Sequence, residues 1–155
     1  RLPDHCGQQT ANCWAVSIYP YVKNTQIFAC PSADRSDTFG IWRDGANGTQ
    51  HTFSPALPRS YCWNLQLDCM SLGKVSAPAQ VPCVADGDGT GWMAPMHSCI
   101  GFKSFGATAA CATDYARMYP YHNEGMNITF ADGHVKWYKA QSVLSGFSSG
   151  ELKAN

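Results

Sequence analysis

The chain has 155 residues, 45% of them hydrophobic and only 14% charged, and its acidic and basic residues balance to a formal net charge of zero. That length suits one domain with its own core, so residues 1–155 are read as a single unit. Neutrality argues against a nucleic-acid partner, because no basic excess exists to neutralise phosphates, and the apolar fraction argues against disorder. The longest apolar runs are too short to span a bilayer. The chain begins at Arg1 with no visible signal peptide, and is read as processed or as a piece of something longer.

In chain order, "TANCWAVSIY" at residues 10–19 predicts a short helix, with Thr10 as its cap and Pro20 closing it. "QIFACP" reads as a short strand or extended run stopped by Pro31. Residues 34–58, rich in Gly, Asp, Asn, Ser, Thr and Pro, read as a long surface loop. "RSYCWNLQL" alternates Tyr61, Trp63, Leu65 and Leu67, as a half-buried strand does. "SLGKVSAPAQ" is a connector. "AQVPCVAD" is a second strand, in which Pro82 points to an edge or a bulge. Residues 86–96 form a Gly-rich loop, and residues 97–120 are irregular. "YHNEGMNITFADGHVKW", residues 121–137, predicts a β-hairpin, because Asp132-Gly133 is a favoured two-residue turn. That turn sets Phe130 opposite Val135 and Ile128 opposite Trp137. All four then share one face, with Thr129 and Lys136 on the other. The rest is read as a C-terminal tail.

Eight cysteines are present, at positions 6, 13, 30, 62, 69, 83, 99 and 111, with no CxxC among them. A zinc ribbon is therefore disfavoured. The even number, low charge and Gly/Pro/Ser-rich loops point to disulfides and an oxidising compartment; buried free thiols are the alternative.

Several stretches together resemble a known group. "IYPYVKNTQIFACPSA", "RSYCWN", "SLGKVSAPAQVPCVADG" and "HNEGMNITFADGHVKW" are similar, in this order, to bacterial pseudopilin-like proteins. These are type II secretion or type IV pilin-like subunits with a C-terminal H-x9-DG motif, here His122 and Asp132-Gly133. The resemblance implies an α+β pilin-like headpiece, an antiparallel β-sheet with long loops. In such proteins a long apolar N-terminal helix anchors the subunit in the membrane. Here that helix is expected to be absent, leaving a soluble extracytoplasmic headpiece whose partners are other pilin-like subunits. The resemblance also makes the strands of Cys62 and Cys83 antiparallel neighbours, and so suggests a Cys62–Cys83 disulfide.

His122 has two readings, a general base or metal ligand and a structural residue. Its neighbours Asn123 and Gly125 are turn formers, which favours a ring hydrogen-bonded to backbone in the loop before the hairpin. "DGDGTGW" is the best metal candidate. Asp86, Asp88 and Thr90 are spaced 1-3-5, Gly91 takes position 6, and the Trp92 carbonyl could add an oxygen, as in the first half of a calcium loop. His97 stands where the bidentate Glu belongs, so Ca2+ would bind weakly. A second function class is a secreted glycosidase or sugar-binding module acting on polysaccharide. Hydrolysis needs two carboxyls about 5–9.5 Å apart. Asp86, Asp88, Asp114, Glu124 and Asp132 are the candidates, and no spacing singles out a pair. Trp42 and Trp92, in expected loops, are the candidate sugar-stacking surfaces; Trp63 and Trp137 are expected in the core.

Overall fold

The computed structural model describes residues 14–33, 41–43, 50–52, 54–58, 60–64, 67, 70–87, 92–93 and 118–153. Within them lie helix α1 (Trp14–Val22), strands β1 (Ile41–Arg43), β2 (Gln50–Thr52), β3 (Tyr61–Asn64), β4 (Pro82–Asp86), β5 (Trp92–Met93), β6 (Gly125–Phe130) and β7 (Val135–Lys139), and helix α2 (Ala140–Ser149). The class is mixed α+β. The main sheet has the order β5-β3-β4-β6-β7; β1 and β2 form a separate two-stranded sheet. The pairs β3–β4, β4–β6 and β6–β7 are antiparallel, whereas β5 joins β3 in parallel. None of the described helices is long and apolar enough to cross a membrane.

Helix α1 runs past the expected stop, with Pro20 inside it. It ends two residues later, where Lys23 turns left-handed (φ 49°) and its N–H donates to the Tyr19 carbonyl at 2.8 Å. That single bond across a left-handed residue is a standard helix C-terminus. After a 3-10 turn at Gln26–Phe28 the chain becomes extended at Ala29, so only the end of the expected run is extended. Strands β1 and β2 lie inside the stretch read as loop. The connector before β4 holds two further 3-10 turns, Leu72–Lys74 and Pro78–Gln80. Pro82 does mark a bulge: the β4–β6 register shifts between Pro82 and Val84. A bulge leaves one residue unpaired, which lets a central strand carry a proline.

Two apolar clusters stabilise the sheet. One gathers Met126, Ile128 and Phe130 of β6 with Cys62, Ala85, Tyr138, and Val143 of α2. The other gathers Trp14 and Ala15 of α1 with Phe28, Leu57, Trp63 and Val81. Helix α2 replaces the expected tail. Its Ala140 and Val143 are buried, and Leu152 just beyond it is too.

The hairpin is where expected, but its register is displaced by one residue. Thr129 pairs with Val135, Ile128 with Lys136 and Asn127 with Trp137. The loop has three residues, not two. The Phe130 N–H donates to the His134 carbonyl, and the Gly133 N–H to the Phe130 carbonyl, both at 2.9 Å. Among Ala131, Asp132 and Gly133, the left-handed residue is Gly133, at φ 93°. This is a type I turn closed by a glycine bulge, the usual form of a three-residue hairpin loop. Asp132 supports it, accepting from the His134 backbone at 3.1 Å and meeting its Nδ1 at 2.7 Å. These bonds hold the exposed Asp132 carboxyl below its ordinary range. Since side chains alternate along a strand, one residue of slip turns all of β7 over. Trp137 and Val135 are consequently 47% and 61% exposed, not core.

Gly133 has nothing within 4 Å of where a Cβ would stand, so its requirement is purely conformational. We expect Gly133→Val to cost about 1–2 kcal/mol, the strain of a left-handed β-branched residue. Gly133→Asn should cost less. Urea unfolding of the two variants checks this, and equal stability of wild type and Gly133→Val would disprove the loop geometry.

Candidate functional site

The sequence around His122 solves a backbone problem first. The His122 N–H donates to the Gly125 carbonyl at 3.0 Å, and the Gly125 N–H to the His122 carbonyl at 2.9 Å. The two residues between them, Asn123 and Glu124, both have positive φ, 51° and 60°. That is a type I′ two-residue turn, whose twist matches antiparallel strands. The His122 carbonyl also accepts from the Trp137 indole Nε1 at 3.0 Å. The His122 backbone is thus part of how β6 begins. The ring, however, does not make the expected bond to loop backbone; it reaches two side chains from distant segments.

At Asp86, strand β4 changes partner. Its carbonyl accepts from the Tyr119 N–H at 3.0 Å, and Gly87 bridges Met118. Tyr121 holds this segment down, its hydroxyl donating to the Gly87 carbonyl at 3.2 Å. The Asn127 N–H therefore finds no ladder carbonyl and donates instead to Asp86 Oδ2 at 2.7 Å; Asn127 Nδ2 adds a second bond at 3.2 Å. Cys30 arrives from the other side. Phe28, buried in the second cluster, anchors that segment, and its carbonyl accepts from the Ser60 N–H at 3.3 Å. The Ser60 carbonyl in turn accepts from the Gly87 N–H at 3.0 Å, so Cys30, β3 and the end of β4 are tied together.

The result is a cluster of Cys30, Asp86 and His122 whose ligand atoms all lie within 4.8 Å of one another. Cys30 Sγ is 3.4 Å from His122 Nε2, and Asp86 Oδ2 is also 3.4 Å from Nε2. Cys30 and Asp86 are 3% and 1% exposed, while the His122 side chain keeps 29%, so the cluster opens to solvent on the imidazole side. Asp86 Oδ1 is buried with no partner among the described residues. Burial pushes the Asp86 carboxyl up, against the opposing pull of the Asn127 hydrogen bonds and His122. Tyr61, beside the cluster, is pushed up to about 12 by burial and by the negative charge that Cys30 and Asp86 can carry.

Cysteine, histidine and aspartate together suggest a nucleophilic triad, but the geometry is different. A triad places the nucleophile and the carboxylate on opposite ring nitrogens, so that one orients the ring and the other receives its help. Here both converge on Nε2. The arrangement suits three donors facing a common point.

The other sequence candidates are scattered. Asp88, Thr90, Gly91 and Asp114 lie outside the described residues, and Asp86, the first member of the proposed calcium loop, turns its Oδ2 to Asn127 and His122. Glu124 sits in the type I′ turn, 3.6 Å from Lys139 Nζ, and Asp132 in the loop at the far end of β6. Six residues of strand separate them by about 20 Å, too far for a hydrolytic pair. Trp42 and Trp92 belong to β1 and β5 rather than loops; their side chains lie outside the described residues. Strands β3 and β4 are antiparallel neighbours as expected, yet Cys62 and Cys83 are not joined in a disulfide. The bulge explains this. Cys62 faces Ala85 in the first cluster, whereas Cys83, at the shifted position, packs against the second. Burial pushes the Cys83 thiol up to about 12, which leaves it inert. Cys30 is joined to neither, and sequence reading passed over it because its partners are far away in the chain.

No family model matches the chain, and no curated protein or solved structure matches it.

Proposed function

We propose that the chain is the extracytoplasmic headpiece of a pseudopilin-like or pilin-like subunit, and that its role is assembly rather than turnover. The observation that carries this reading is where the His122-x9-Asp132-Gly133 motif falls. His122 opens the turn at the start of β6, and Asp132-Gly133 closes the loop at its end. The motif spacing measures one strand with a tight turn at each end. Residues spent in this way frame a sheet, which is what a filament subunit needs its headpiece to preserve. The outer face of the same hairpin carries the exposed side chains of Val135 and Trp137, apolar surface that a neighbouring pilin-like subunit would cover.

A photo-crosslinking residue at position 137, in the cells that produce the protein, tests this reading. The expected product is a set of envelope-associated adducts with pilin-like subunits. Turnover of a polysaccharide, abolished in a folded Asp86→Asn variant and unaccompanied by any such adduct, would replace this reading with the glycosidase.

A further inference from the structure

We propose that Cys30, Asp86 and His122 form a binding site for a thiophilic divalent cation of the zinc class. Two of the three donor separations are those of a coordination shell, and the third, sulfur to carboxylate, lies within 4.8 Å. With ordinary zinc bond lengths, tetrahedral geometry separates a thiolate sulfur from an imidazole nitrogen by about 3.5 Å, and that nitrogen from a carboxylate oxygen by about 3.3 Å. The observed separations are 3.4 Å and 3.4 Å.

Hydrogen bonding alone satisfies the cluster poorly. Nε2 has either one hydrogen or one lone pair, and cannot serve the sulfur and the carboxylate together. A good imidazolium–carboxylate bond would be about 2.7–2.9 Å, shorter than the separation seen. Asp86 is also 1% exposed and has one oxygen without a partner among the described residues. A cation at the point shared by Sγ, Nε2 and Oδ2 resolves the first two of these. It takes the Nε2 lone pair, the thiolate and the carboxylate, and its two charges neutralise two buried anions.

The donor set selects the ion. Calcium and magnesium take oxygen ligands, whereas one sulfur, one nitrogen and one oxygen suit zinc. Asn127 would act as the outer partner, fixing the carboxylate through its two hydrogen bonds to Oδ2. Three protein ligands leave a fourth position, open to water or to a further ligand.

The test uses the whole chain, reduced and stripped with chelator, and titrated with Co2+ and with Zn2+. We expect one Co2+ per chain, with the thiolate-to-cobalt charge-transfer band and the visible bands of a tetrahedral site. Cys30→Ser should abolish the charge-transfer band, and His122→Gln should weaken binding at least tenfold. Cys83→Ser should change neither. Zinc at about a hundredfold over its Kd should raise Tm by about 5–10 °C. The inference is overturned if the wild-type chain shows no thiolate–cobalt band, or if that band survives in Cys30→Ser. It is equally overturned if non-reducing peptide mapping of the native protein places Cys30 in a disulfide. The wild-type titration and the mapping decide the matter even if Cys30→Ser fails to fold.

Discussion

Gly125→Ala should be the most damaging glycine-to-alanine change among the described residues. A Cβ at Gly125 would stand 2.5 Å from the backbone carbonyl oxygen of Tyr138 and would overlap the Trp137 indole. The indole could swing away, but the carbonyl belongs to the paired strand and cannot move without opening the ladder. Overpacking of this kind costs about 1–3 kcal/mol and more where backbone is involved, so a loss of about 3 kcal/mol or more is expected. Displacing the indole would also break its bond to the His122 carbonyl and loosen the type I′ turn. Denaturant unfolding combined with Trp137 fluorescence measures both effects. Wild-type stability with an unperturbed indole would show that β6 and β7 are not packed as described.

Phe130→Ala should come next, at about 3–5 kcal/mol. The ring is 2% exposed, stacks on His134 with centroids 4.2 Å apart and leans on Tyr138 at 6.1 Å. A domain this size is stable by only about 5–15 kcal/mol in total, so the variant would be marginal at growth temperature. Val135→Ala is the informative companion. In the observed register Val135 is exposed and its truncation should cost under about 0.5 kcal/mol. In the two-residue-loop register Val135 would face Phe130 inside the core. Comparable losses at the two positions would restore that register.

Those two registers show where sequence reasoning stops. "ADG" specifies a turn with a left-handed glycine, and that much was legible. Whether Asp132 is also left-handed separates a two-residue loop from a three-residue one, and the tripeptide is compatible with both. The choice is made by packing: the three-residue loop sends Tyr138 into the core beside Met126 and Phe130, and Trp137 out over Gly125. A similar tertiary decision made helix α2. Its sequence AQSVLSGFSS has four serines and a glycine, poor helix formers, and burial of Ala140 and Val143 overrides that weakness. Pro82 was different, because a missing N–H is a local fact, and the bulge follows from it directly. The Cys30 cluster was invisible for the opposite reason. No local pattern connects "FAC", "VAD" and "YHN"; only the order of strands does.

That cluster also says something about the order in which the molecule comes together. Cys30 and His122 are 92 residues apart in the chain. The β6–β7 hairpin closes a loop of a few residues, and its turns are set by its own sequence. Closing the longer loop costs more chain entropy, and contacts so distant in sequence are gained late. A partly folded chain that has made only its C-terminal hairpin holds one corner of the cluster. The three side chains meet when the first segment, the central strand and the hairpin have all docked. Whatever occupies that point therefore binds the finished molecule alone, and draws the population toward it.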